Sequence, residues 1–137
     1  MTKIKICGLK RPEDIQAVNE AKPDFAGFVI EVPKSRRNVS AEQVRELAKG
    51  LAEQTEAVGV FVNAPLELVA GLLEDGTLAL AQLHGGEDEA YIRELRQMTD
   101  KPLIQAFSIR TKADIERALE EKRTDVGRRR RVSRHRV

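Results

Sequence analysis

Cysteine is almost absent from this sequence: Cys7 is the single one in 137 residues. That excludes a disulfide within the chain and any CxxC-type metal site. Long apolar runs are missing too, so no segment reaches membrane-spanning length. The opening "MTKIKICG" interleaves polar with apolar residues, unlike a secretory h-region, and a reducing cytoplasm is the expected compartment. A positive charge balance is missing from most of the chain. Of 24 Lys/Arg, six lie in residues 127–137, which leaves 18 against 22 Asp/Glu in residues 1–126, a net of −4. An acidic body offers no basic face to nucleic acid or to an anionic membrane. The terminal "GRRRRVSRHRV" holds six arginines and no acidic residue, and reads like the tail of a different protein.

What is present is an alternation of short and long patterns. "KIKIC" (3–7), "FAGFVI" (25–30), "AVGVFV" (57–62), "LALAQLH" (78–84) and "LIQAFSI" (103–109) are short runs rich in Val, Ile, Phe and Leu. Most lack in–out alternation, as strands covered on both faces do. Between them lie amphipathic helix patterns with start signals. Ser40 and Gln43 stand at capping-box spacing ahead of a Val44, Leu47, Ala48, Leu51 stripe. Leu66, Val69, Ala70 and Leu73 repeat the stripe, with Pro65 near the start and Gly76 past the end. Thr111 and Asp114 form a variant box before Ile115, Ala118 and Leu119. "RPEDIQAVNEA" and "EDEAYIRELRQM" supply two further helices.

Five strand–helix units in succession mean parallel strands joined by right-handed crossovers. The fold class is α/β, and two architectures are open: a doubly wound sheet or part of a (β/α)8 barrel. The doubly wound form calls for a glycine-rich turn after the first strand. "CGLKRPED" has one glycine and no GxGxxG, which favours the barrel. A whole barrel takes roughly 200–250 residues, so the chain supplies about the first five units.

In either architecture, functional groups collect where strands end. Those positions hold Cys7, Lys34 to Arg37, Asn63, and Gln82 with His84. The two-residue period puts Lys5 with Cys7, and Gln82 with His84, on common faces. If those faces point inward, a thiol, an ammonium, an amide and an imidazole converge. Each also has a plainer reading. A lone strand cysteine is most often a small hydrophobe, Lys5 could be a solvated residue, His84 beside two glycines could sit in a tight turn, and "KSRR" could be a solvated loop.

Taken together, "KICGLKRPEDIQAV", "GFVIEVPKSRRNVS", "VGVFVN" and "AQLHGGE" fall in order at strand–loop junctions. They resemble the phosphoribosylanthranilate isomerase family, (β/α)8-barrel enzymes of tryptophan biosynthesis, over about residues 3–121. The resemblance implies an Amadori rearrangement of a phosphoribosylanthranilate aldosylamine to its 1-deoxyribulose ketone. A general acid opens the ribose ring, and a general base then removes the C2 proton. By resemblance Cys7 is that base, and a neighbouring cation such as Lys5 would raise its thiolate fraction. Arg37 matches the arginine that holds the anthranilate carboxylate, work suited to a planar guanidinium. Gln82 and His84 match positions lining the same mouth. The resemblance implies a small-molecule substrate, with no metal, no organic cofactor and no membrane partner.

It breaks near the end. The family's general acid is an aspartate closing the sixth strand, in a segment like "SGADAVLLDT", and loops after the last two strands hold the phosphate. Here "KRTDVGRRRRVSRHRV" offers neither an apolar sixth strand nor a closing aspartate. Asp125 precedes the place where the strand should begin. With CGN arginine codons and a TCN codon for Ser133, a one-base forward shift from Val126 permits Ser-Gly-Ala-Asp-Ala-Val-Phe-Leu-Asp-Thr. The second aspartate then straddles the codons of Arg134 and His135. The expectation is a single barrel domain begun by residues 1–126, followed by an out-of-frame, disordered basic tail over 127–137, in a chain without isomerase activity. The rival reading is an α/β binding module whose arginine-rich arm contacts nucleic acid through phosphates. The acidic body and the absence of aromatics among the arginines stand against it.

Overall fold

Continuous apolar runs bounded by turns become strands when both of their faces can be covered. In the computed structural model, which describes residues 2–108, 110–124 and 130–135, that is what the five runs do. They form β1 (Lys5–Cys7), β2 (Phe25–Ile30), β4 (Glu56–Phe61), β5 (Leu80–Leu83) and β6 (Leu103–Ser108). The intervening helices are α1 (Pro12–Ala21), α2 (Ala41–Lys49), α3 (Leu66–Glu74), α4 (Glu89–Met98) and α5 (Lys112–Thr124). Two further strands were not expected: the two-residue β3 (Asn38–Val39) and β7 (Arg130–His135).

The helix starts follow side-chain chemistry. Ser40 Oγ accepts from the Gln43 amide at 3.1 Å, and Gln43 Oε1 accepts from the Ser40 amide at 2.8 Å. Two amides that the first turn would leave without partners are thereby satisfied. Asp88 caps α4 through the Tyr91 amide at 2.9 Å. At α5, Asp114 accepts from the amides of Arg110 and Thr111, both at 3.0 Å. Those bonds hold its carboxyl down at about 2.

All pairings are parallel, in the order β1-β2-β4-β5-β6-β7, with β3 attached to β2. The register separates two faces. Ala26, Phe28, Ile30, Ala57, Phe61, Ala81, Leu83 and Leu103 pack with Ile15, Val18, Val44, Leu47, Val69, Leu72, Leu73, Ile92 and Leu95 of the first four helices. Phe25, Val58 and Leu80 form a smaller cluster on the other face with Ala79 and Ile104. A doubly wound sheet carries helices on both faces; here the four share one, as in a barrel wall.

The wall is curved. Lys5 Nζ donates to Gln82 Oε1 on the helix-free face, although β2 and β4 lie between their strands. On a flat sheet, three strand spacings would hold β1 and β5 about 14 Å apart. A direct hydrogen bond across them requires the sheet to curl towards that face.

At β7 the structure departs from the expected disordered tail. Arg130–His135 pairs in parallel with β6, from Leu103↔Arg130 to Ser108↔His135, in the place of a sixth barrel strand. The fifth barrel strand, β6, is therefore not a sheet edge. The physical reason lies in the backbone: an edge offers amides and carbonyls to any extended segment, and those bonds do not read side chains. The rest of the tail, residues 125–129 and 136–137, lies outside the described residues. Among the described residues β1 and β7 each have one neighbour along the sheet. On α5, Ala118 is buried, while Ile115 and Leu119 are 36% and 46% exposed.

Candidate functional site

β1 ends on Cys7, a free and half-buried thiol. Its position depends on two glycines. Gly27 sits beside it in register, where an added Cβ would lie 2.8 Å from Cys7 Sγ. Gly8 follows at φ +90, a left-handed conformation that side chains disfavour, and turns the chain out of the sheet. The amides of Gly8 and Leu9 then both reach the Gly27 carbonyl, at 3.0 and 3.2 Å.

Arg37 lies across this corner. A Cβ on Gly8 would meet its Nε at 2.9 Å and Nη1 at 3.1 Å, so the guanidinium rests against the backbone next to the thiol. The loop that carries it is tied down on both sides. Asn38 Oδ1 accepts from the Val32 amide at 2.6 Å, Ser35 Oγ accepts from the Arg37 amide at 3.1 Å, and Lys10 Nζ reaches the Arg36 carbonyl at 3.2 Å. Through Val39, β3 anchors the same loop by accepting the Glu31 amide at 2.9 Å. The side chain itself remains exposed.

Lys5 and Gln82 are joined by their hydrogen bond, with Gln82 5% exposed. Lys5 shares Cys7's face two residues earlier, and Gln82 lies in register with Val60 and Ile104. His84 stands just beyond β5. Its amide donates to the Phe61 carbonyl at 2.9 Å, continuing the ladder one step past the strand, and its side chain is exposed. The structure thus unites the expected residues as a Cys7–Arg37 corner and a Lys5–Gln82 bridge, with His84 at the adjoining strand end. Lys5, Cys7 and Gln82 lie on the concave face of the wall, and Arg37 reaches the end of β1 from the loop after β2. Such an arrangement suits an anionic substrate and proton transfer.

Sequence reasoning missed Glu87. Its side chain is 7% exposed and accepts from the amides of Asn63 (2.7 Å) and Gly85 (2.8 Å). Tyr91 lies close by, donating its hydroxyl to the Ala64 carbonyl at 2.7 Å. Burial pushes this phenol up to about 12, helped by the charges of Glu87 and Glu67. Among the described residues no cluster of three His, Cys, Asp or Glu could hold a metal, and no helix is long and apolar enough to cross a membrane.

Comparison with known proteins gives a consistent answer. The profile of the family described as N-(5'phosphoribosyl)anthranilate (PRA) isomerase matches residues 4–127. The N-(5'-phosphoribosyl)anthranilate isomerase of Endomicrobium trichonymphae is 47% identical over 113 residues, covering 82% of this chain and 55% of the relative. That of Clostridium kluyveri is 44% identical over 115 residues, covering 84% and 55%. The crystal structure of the phosphoribosyl anthranilate isomerase from Thermotoga maritima superposes with a TM-score of 0.81 at 30% identity, over 98% of this chain and 62% of that one. The chain therefore spans about half the length of the curated relatives it matches.

Proposed function

From the premise that the chain belongs to the N-(5'-phosphoribosyl)anthranilate isomerase family, we propose that its concave face is the first part of a site for the Amadori rearrangement of phosphoribosylanthranilate. The product is 1-(2-carboxyphenylamino)-1-deoxyribulose 5-phosphate. Cys7 is the base that takes the C2 proton, and Arg37 binds the anthranilate carboxylate. Lys5 and Gln82 line the floor, and His84 the rim. The observation that carries this reading is the seating of the Arg37 guanidinium against Gly8, beside the thiol. A planar aromatic carboxylate held there presents its substituent chain to the sulfur.

The segment in the sixth-strand position carries no acid partner. β7 occupies the sixth-strand position, and Arg130–His135 contains no carboxylate. The reaction needs a proton delivered to the ring oxygen, so the expected turnover of this chain is indistinguishable from background. The tail is an out-of-frame reading of the sixth strand. Sequencing the gene from the Ala118 codon onward tests that point: a one-base change that restores an aspartate-bearing apolar strand supports it, and an intact frame refutes it.

The site itself is tested by binding. A structure of the family has been solved in complex with reduced 1-(o-carboxyphenylamino)-1-deoxyribulose 5-phosphate. That compound should bind the 137-residue chain, and Arg37→Ala should weaken binding by about tenfold or more, the loss expected of a charge-assisted pair. No binding, or binding indifferent to Arg37, overturns the assignment.

A further inference from the structure

A buried carboxylate is costly unless its oxygens are satisfied, and a strand end that needed only packing would be served more cheaply by an apolar residue. Glu87 is buried in the loop after β5, and its two oxygens are used for bonds to two different loops. Oε2 accepts from the Asn63 amide just beyond β4, and Oε1 from the Gly85 amide just beyond β5. A third bond runs the other way, from the Gly86 amide to Asn63 Oδ1 at 2.9 Å. Asn63 holds a left-handed φ of +48 to make it. The approach is close: a Cβ on Gly85 would lie 2.9 Å from Asn63 Oδ1 and 3.0 Å from its amide nitrogen. These bonds lie past the end of the β4–β5 ladder, and they flank His84 directly.

We propose that Glu87 is a positioning residue, whose carboxylate latches the loops after β4 and β5 together and so holds His84 at the mouth of the site. The inference rests on the functional reading above, since it gives His84 a ligand to meet. The latch itself is a property of the chain without ligand. Charge-assisted bonds to amides are short and directional, so a neutral isostere is a sharp probe. Glu87→Gln keeps one acceptor and turns an NH2 group towards an amide that needs one. Asn63→Gly keeps the left-handed backbone and removes the reciprocal bond.

The test compares the full chain with these two variants by three readouts: affinity for reduced 1-(o-carboxyphenylamino)-1-deoxyribulose 5-phosphate, the NMR signals of the His84 ring, and denaturant unfolding. The expected result for Glu87→Gln is binding weakened by about tenfold, with the His84 ring signals displaced and cooperative unfolding retained. Asn63→Gly moves the same signals in the same direction. If Glu87→Gln binds like the unaltered chain with its His84 signals unmoved, the positioning role is overturned, even where stability falls. Should the unaltered chain bind nothing, the functional reading fails, and the His84 signals alone decide the latch. If Glu87→Gln does not fold, Asn63→Gly decides it by the same criteria.

Discussion

Gly27 controls how closely the first two strands approach where the thiol emerges. A methyl group there would lie 2.8 Å from Cys7 Sγ and 3.2 Å from the Cys7 Cα. The sulfur can rotate, but the backbone cannot yield without loosening the β1–β2 pairing. Gly27→Ala should therefore cost about 1–3 kcal/mol, the range for overpacking, and should change the alkylation rate of Cys7 in the folded state. Urea unfolding and reaction with iodoacetamide measure the two effects, and an unchanged rate with unchanged stability refutes the close approach. Several site residues were legible in the sequence because strand geometry is periodic: Lys5 with Cys7 and Gln82 with His84 follow from the two-residue repeat. Arg37 was legible only as one of four residues, Lys34 to Arg37, after the second strand; a loop has no period to single it out, and its role came from the family resemblance. Glu87 was not legible. An acid in a polar loop looks solvated until the fold brings Asn63 to it.

Among the elements, α4 docks through the buried Ile92 and Leu95 and adds one polar contact from Tyr91. Tyr91 is partly buried, and its hydroxyl donates across to the loop after β4. Because its pKa is raised from 10 to about 12, the folded state holds the phenolic proton more tightly than the unfolded state. The stabilisation is complete below pH 10 and disappears as pH rises towards 12. Tyr91 is the sole tyrosine and there is no tryptophan, so phenolate absorbance reports this group alone. Its midpoint should fall near 12 in native protein and near 10 in denaturant; equal midpoints would remove the docking role. The helix starts were readable because capping is local chemistry. β3 was not, because two residues inside "RRNVS" carry no pattern. Nor was β7, where five polar or basic residues and a single valine gave no strand signal, and an available sheet edge decided the outcome.

For the whole molecule, the sequence conveyed the parallel α/β wall and its likeness to a barrel, but not how far the wall extends. β1 presents an edge, and Ile4 on its approach is 58% exposed, with Ile115 and Leu119 exposed on α5. Open edges and uncovered apolar side chains favour pairing between chains. Sedimentation should show self-association that increases with concentration; a monodisperse monomer that unfolds in one cooperative step would contradict it.

The Lys5–Gln82 bridge also bears on how the protein comes into being. Most sheet contacts join a strand to the one synthesised just before it, so the wall can grow outward as the chain leaves the ribosome. This bond joins residues 77 apart in sequence, and the entropy of closing so long a loop must be met before it forms. Until the codon for Gln82 has been read, the ammonium of Lys5 has no such partner. The nascent sheet can be paired early, but this clasp on its curvature comes only with the fifth barrel strand's predecessor, β5, in place.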